Sequence, residues 1–295
     1  MSRRGRSHSL WALLFVSPWL VGFGVFLLYP LLASLYYSFC DYSVLKDPVW
    51  IGGANYRELW ADELFWTTLV NTATYAALAL PLTMLVAVAL AMLLNSKVRG
   101  LAFYRTIFFL PSLVPMVSLA VLWLWMFNSE HGLVNQTLRA VGLPAPNWLT
   151  DPNVSKLALV LMGVWGVGNA MIIVLAGLQD VPQTLYEAAE LDGANGWRKT
   201  RHVTLPMISP VLLFNGIMGI IGTLQIFTVP YVMFPNGAPA RSTYFYTTYL
   251  YDNAFKYHKM GYASAMGWIM FVLILVLTLV SIKITDKHVH YEGGA

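Results

Sequence analysis

Leu64–Ser96 reads LFWTTLVNTATYAALALPLTMLVAVALAMLLNS, 33 residues without an Asp, Glu, Lys or Arg. A helix crosses the hydrocarbon core of a bilayer with about 20 apolar residues, so this stretch is long enough to span. Working outward, five further charge-free stretches reach that length: Ser7–Cys40, Thr106–Ser129, Leu157–Gln179, His202–Ala240 and Met260–Ile282. Lipid offers no partner for backbone polar groups, and a helix satisfies them within itself. The expected fold class is an all-α membrane protein with six transmembrane helices. Composition agrees, since only 11% of the 295 residues are charged and 58% are hydrophobic. A soluble domain carries about 25% charged residues, so there are too few here to cover a soluble surface.

The net charge of +4 could suggest nucleic acid, but the basic residues sit in short clusters between apolar runs. That is the arrangement of membrane topology and not of a phosphate-binding face. Counting Lys and Arg in the short loops puts eleven on one side, from Arg3, Arg4 and Arg6 through Lys97, Arg99, Arg105, Arg198, Lys199 and Arg201 to Lys283 and Lys287. Seven fall on the other: Lys46, Arg57, Arg139, Lys156, Arg241, Lys256 and Lys259. The excess predicts both termini in the cytoplasm. The basic start is followed by an uncharged run ending in bulky Leu35-Tyr36-Tyr37. A cleaved signal has a shorter apolar region and a small-residue cleavage site, so a retained first span is expected. Trp11, Trp19, Tyr36, Tyr37, Trp123, Trp125, Tyr257 and Tyr262 crowd the expected span ends, as aromatic belts do. Cys40, alone of its kind, excludes a disulfide framework and reads as a packing residue. His288 and His290 lack further metal ligands nearby and read as a solvated tail, and Asn135-Gln136-Thr137 fits a glycosylation acceptor but is given no weight.

Pro18, Pro30, Pro81, Pro111, Pro115, Pro210 and Pro230 lie inside apolar runs. Each removes a backbone donor, and a membrane helix tolerates this where a neighbouring group or a water-lined cavity satisfies the freed carbonyl. Leu110-Pro-Ser-Leu-Val-Pro115 is the expected site of a broken segment lining a path. The spans contain no Asp, Glu, Lys or Arg, which argues against proton or sodium coupling through buried carboxylates.

The most structured loop is Asp180–Pro206. Pro182 stands at an expected first helical position and Gly193 just past the helix end. Between them Leu185, Ala188 and Ala189 fall at i, i+3 and i+4 and share a narrow face of small side chains flanked by Glu187 and Glu190. A second short helix is expected from Asn195 through Trp197-Arg198-Lys199 to a break at Leu205-Pro206. A helix lying on a membrane surface is usually rich in Lys or Arg, whereas the first helix has two glutamates and no basic residue. It is built to dock into protein.

Glu187-Ala188-Ala189, then Gly193, then Val203-Thr204-Leu205-Pro206 resembles the EAA signature of ABC importer permeases, with Val203 where isoleucine is usual. The resemblance runs from about Trp66 to Ile282. It implies an N-terminal tail, first helix and outer loop over 1–65, a type I permease core over 66–282 and a cytoplasmic tail over 283–295. Tyr29-Pro30 ahead of Ser38-Phe39, Asn55-Tyr56 before Phe65-Trp66, Leu110-Pro111, Gly132-Leu133-Val134-Asn135 and Asn236-Gly237-Ala238-Pro239 resemble the carbohydrate branch, similar to maltose and glycerol-3-phosphate permeases. Ala238 replaces a common glycine.

The resemblance implies a non-catalytic subunit whose coupling residues are Glu187, Ala188, Ala189, Asp192, Gly193, Leu205 and Pro206. The loop would sit in a cleft of an ABC ATPase dimer, which binds the ATP and Mg; this chain has no Walker A sequence and is expected to hold no cofactor. It further implies a second homologous permease, an extracytoplasmic solute-binding protein and a sugar substrate. The residues expected along the substrate pathway are Ser112, Trp165, Gly166, Asn169, Thr223, Gln225 and Phe227, with interhelical hydrogen bonding as the competing role for each polar one. The rival readings are an ion-coupled secondary transporter of a neutral polar solute, which would show intramembrane charge or inverted repeats, and a membrane-embedded enzyme, which would need a convergent acid, base or metal group.

Overall fold

The computed structural model describes residues 14–96 and 99–285. The N-terminal arginines, Trp11, Lys97, Lys287, His288 and His290 lie outside the described residues. The described residues form two compact units, one from residues 14–62 and 250–271, the other from 63–249 and 272–285.

The first unit opens with α1, Leu14–Ser38, apolar and exposed along almost its whole length. A π-turn at Gly24–Leu28 widens the helix just ahead of Pro30. Proline cannot supply the donor that a regular turn requires, and the wide turn absorbs the mismatch. After α1 a two-stranded antiparallel ribbon pairs β1, Cys40–Asp41, with β2, Val49–Trp50, and leads into α2, Ala54–Ala61. The Asn55 amide donates to the Ser38 and Cys40 carbonyls, both at 2.9 Å, closing carbonyls left open at the end of α1. Cys40 is buried and free, in the packing role expected of it. Gly261 sits on the Cys40 carbonyl so closely that a Cβ would overlap it, which explains a glycine at the start of the last span.

The second unit is built around α3, Glu63–Leu94, which runs unbroken through Pro81. Ala79, Ala87 and Ala91 are fully buried on α3, with Thr83 completing a four-residue repeat. Small side chains let helix backbones approach closely where lipid offers no hydrophobic drive to association. The third span is α4, Leu101–Phe109, and α5, Met116–Met126; the fourth is α7, Ser155–Trp165, and α8, Gly168–Gln179. Between them lies α6, Leu133–Ala140. The loop helices are α9, Gln183–Leu191, α10, Gly196–Lys199, and α11, Leu205–Met207. The fifth span is α12, Ser209–Leu224, with α13, Thr228–Met233. The short α14, Tyr246–Tyr251, precedes α15, Met260–Thr285, whose two parts belong to the two units. With each bent pair counted once, the described residues supply six spans, as expected.

Five spans differ in their boundaries from those read in the sequence. The fifth span begins at Ser209 and not His202, because residues 202–208 are uncharged but belong to the preceding helical segment. The third begins at Leu101 and so takes in Arg105, whose buried Nε has no hydrogen-bond partner. Glu63, Lys156 and Lys283 also fall inside helices, all within a turn of a span end. The spans are therefore charge-free in their middles and not throughout.

Two buried clusters hold this unit together. One gathers Tyr75, Trp123, Phe127, Trp148, Leu159, Met162 and Phe245. The other gathers Ala91, Leu94, Met171, Val174, Leu178 and Ile208. A polar staple fixes the segment before α14: Asn71 donates to the Arg241 and Tyr244 carbonyls at 2.8 and 3.1 Å, and the Tyr246 amide donates to Thr72 Oγ1 at 2.9 Å.

Candidate functional site: a paired-helix loop and three broken spans

In the 180–207 loop, Pro182 takes the position before the first helical residue of α9, one place earlier than its spacing predicts. At the far end Gly193 adopts φ +73°, a left-handed conformation that glycine alone enters freely. Its amide donates to Glu190 O at 3.0 Å and the Ala194 amide to Ala189 O at 2.9 Å. This pair of bonds is a Schellman cap, which closes the last carbonyls of the helix and turns the chain. Asn195 then caps α10 by accepting from the Arg198 amide at 2.9 Å.

The second helix does not break at Leu205-Pro206. A π-turn over Thr200–Thr204 carries helical geometry through to Met207. Pro206 lies in the first turn of α11, where its missing N–H leaves no deficit. The break falls at Ile208, with φ −88° and ψ 4°.

The two helices are fastened by Tyr186 Oη and Thr204 Oγ1 at 3.1 Å and by a Lys199–Glu190 ion pair at 2.8 Å. This turns Tyr186, Ala189 and Glu190 towards the second helix and splits the expected small face. Leu185 and Ala188 are exposed while Ala189 is half-buried. Covering a tyrosine ring removes more apolar surface than covering a methyl group, so Tyr186 sets the rotation. Glu187, Asp192 and Gly193 are exposed with Ala188 on the open side. Leu205 is half-buried and packs on the cluster of Met171, Val174, Leu178 and Ile208, as does Val181 at the start of the loop. The loop is thereby anchored at both ends to the cores of the fourth and fifth spans.

The third span is broken where its two prolines predict. Pro111 opens a 3₁₀ turn over Leu110–Leu113, Val114 is forced extended by the following Pro115, and the chain direction changes by 98°. Ser112 Oγ donates to the Phe109 carbonyl at 2.6 Å, satisfying an acceptor at the interruption. The fourth span bends by 46° at Gly166–Val167. A Cβ on Gly168 would lie 2.8 Å from Phe108 O and 2.9 Å from Phe109 Cα, so the two breaks touch backbone to backbone. Gly168 was not among the residues singled out from sequence; the Gly166-Val-Gly168 spacing inside an apolar run is the signal that marks it.

The fifth span stops at Leu224 and resumes at Thr228, with Phe227 at φ −139° and ψ −64°. Ile226, in the middle of that gap, packs on the cluster containing Trp123. Trp123 meets Trp165 edge-on, ring centroids 5.8 Å apart. One apolar cluster thus links the gap in the fifth span to α5, and through Trp123 to Trp165 at the bend of the fourth.

Around them Asn169 and Gln225 are exposed, and neither side-chain amide makes a hydrogen bond among the described residues. Trp165 is 38% exposed, and Phe227 stacks on Tyr231 at 5.0 Å. Thr223 differs: its hydroxyl donates to Gly219 O at 2.7 Å and is committed to its own helix. The arrangement offers two free amides and flat aromatic faces beside interrupted helices, with no charged side chain at any of the breaks.

Residues 79–291 match the family of binding-protein-dependent transport system inner membrane components. The chain is 38% identical to the probable ABC transporter permease protein YesP of Bacillus subtilis, covering 99% of this chain and 96% of that one. It is 36% identical to the lactose transport system permease protein LacF of Rhizobium radiobacter, covering 90% of each. Among solved structures, the crystal structure of a bacterial ABC transporter involved in the import of the acidic polysaccharide alginate contains a chain that superposes with a TM-score of 0.81 at 25% identity, with 96% of both chains covered. The broken six-span fold is thus that of a known class, and this chain belongs to the family of binding-protein-dependent transport system inner membrane components.

Proposed function

We propose that this chain is one permease subunit of an ATP-driven sugar importer, forming half of a transmembrane pathway through a bacterial or archaeal plasma membrane with both termini in the cytoplasm. The loop of α9 to α11 seats in the cleft of a separate ABC ATPase dimer, which holds the ATP and Mg. Glu187 pairs with basic groups there, and the exposed Ala188 allows close approach. Closure of the dimer moves the loop, and Leu205 and Val181 carry that movement into the fourth and fifth spans through the cluster they share with Met171 and Ile208. A second homologous permease supplies the other half of the pathway, and an extracytoplasmic binding protein delivers the solute. One solved neighbour is an alginate ABC transporter in complex with a periplasmic protein carrying an alginate pentasaccharide, which supports the same class of partner.

The observation that carries the substrate reading is the neutrality of the three breaks together with their free amides. A sugar presents hydroxyl edges and C–H faces, matching Asn169 and Gln225 beside Trp165 and Phe227. The names of relatives support it, among them lactose and arabinooligosaccharide permeases. An ion-coupled transporter would need a titratable group mid-span, and Arg105, Lys156, Glu63 and Lys283 all stand near span ends. The test is uptake by proteoliposomes holding the permease pair and ATPase, supplied with binding protein and a panel of neutral oligosaccharides and uronates. Accumulation of a neutral oligosaccharide is expected; accumulation of uronates alone contradicts the neutral-pathway reading.

A further inference from the structure

Among the described residues three tryptophans are not exposed, and two of them have an acceptor for the indole N–H. Trp148 donates to Asn135 Oδ1 at 2.8 Å, and Trp268 donates to Ser34 Oγ at 3.2 Å. Trp123 is 6% exposed, yet its Nε1 is buried without a hydrogen-bond partner. A donor that has left water without gaining an acceptor is destabilising, and a buried indole N–H usually finds one. The cluster around Trp123 is apolar, with Phe127, Met162, Phe245 and Ile226 among its members, so a water there would find few further partners. The position of this unspent donor is specific. Trp123 stands on α5, the half of the third span that follows the break at Pro111–Pro115. Of its two ring neighbours, Phe127 at 4.7 Å is fully buried, whereas Trp165 at 5.8 Å is half-exposed at the bend of the fourth span. The way from the surface to Trp123 therefore leads past Trp165, and an exposed side chain changes rotamer readily.

We propose that Trp123 is a further specificity-determining residue of the pathway: when the Trp165 ring turns aside, the Trp123 N–H donates to an oxygen of the passing sugar. An indole donates and does not accept, so the ligand atom is a hydroxyl, ring or glycosidic oxygen. A neutral sugar presents all three. Asn169 and Gln225, on the fourth and fifth spans, carry amides that both donate and accept. The third span adds a donor of one direction, beside two aromatic faces that suit the C–H face of the same sugar. The inference rests on the sugar-pathway reading proposed above.

The experiment replaces Trp123 in the complete transporter by its benzothienyl isostere, which puts sulfur where the N–H stands and keeps the shape of the ring. Uptake of labelled lactose, maltotriose and arabinotriose into proteoliposomes is followed with binding protein outside and ATP inside. Loss of one neutral hydrogen bond should lower kcat/KM about 3–10-fold for the sugar that wild type moves. The Tm of the purified permease pair should stay at the wild-type value, because the N–H has no partner to lose in the packed state. Trp123→Phe, which also removes ring volume, should lower both uptake and Tm. Equal kcat/KM for the isostere and wild type overturns the proposal. A lower Tm for the isostere also overturns it, since the N–H would then be spent in the packed state, for instance on the face of Trp165. Failure of wild type to move any of the three sugars would instead strike the sugar reading itself.

Discussion

Replacing Gly193 tests the loop at its most constrained point. The residue sits at φ +73° with no atom within 4 Å of an added Cβ, so a side chain meets no neighbour and the penalty is conformational. For an L residue the left-handed region costs about 1–2 kcal/mol, with asparagine penalised least and β-branched residues most. Gly193→Val therefore biases the turn against the two capping bonds, at 3.0 and 2.9 Å, by a factor of roughly 5–30. The helix that depends on this cap has nine residues, too few to hold its shape alone in water. The assay is affinity of the detergent-solubilised permease pair for its ATPase, read beside sugar transported per ATP hydrolysed after reconstitution. Gly193→Val should weaken ATPase capture by about the same 5–30-fold factor and lower the coupling ratio. Gly193→Asn should stay near wild type, and both should insert normally. Equal behaviour of Val and Asn would refute the argument, since only the left-handed conformation separates them.

Glu187→Lys is expected to uncouple hydrolysis from transport with membrane insertion and expression unchanged, checked by ATPase rate against uptake; normal coupling at wild-type ATPase level contradicts the pairing proposed for this carboxylate. Asn169→Ala and Gln225→Ala should raise the apparent KM for sugar, whereas Thr223→Ala should leave it unchanged because that hydroxyl is spent on Gly219 O; unchanged KM in both amide variants removes them from the pathway. Asn71→Ala strands two carbonyls that its amide now satisfies. It should destabilise the chain by about 1–3 kcal/mol, seen as a lower Tm of the purified protein, and an unchanged Tm would refute it.

The spans were legible because length and absence of charge are local properties of the chain. The break at Pro111–Pro115 was legible too, since proline acts on its own neighbours. Boundaries were less so. The run His202–Ala240 is uncharged throughout, yet its first residues belong to the loop's second helix, and hydropathy carries no record of where a π-turn ends. Pro206 misled for a related reason: a proline reads as a stop, but in the first turn of a helix its missing donor leaves nothing unsatisfied. Within the loop, spacing identified the helix and its glycine cap but not its rotation, which Tyr186 sets by reaching Thr204, 18 residues away. Gly168 escaped for the same reason. Its function is a backbone contact with Phe108 and Phe109, and a single sequence does not state which helices touch.

In the function proposed, this chain moves its solute only through an external motor. The most direct measurement is uptake of a labelled oligosaccharide into proteoliposomes holding the permease pair and ATPase, with binding protein outside and ATP inside, repeated with ionophores that collapse proton and sodium gradients. Accumulation is expected to require both ATP and binding protein and to be indifferent to the ionophores. Uptake that persists without ATP and vanishes when an ion gradient is collapsed would contradict it.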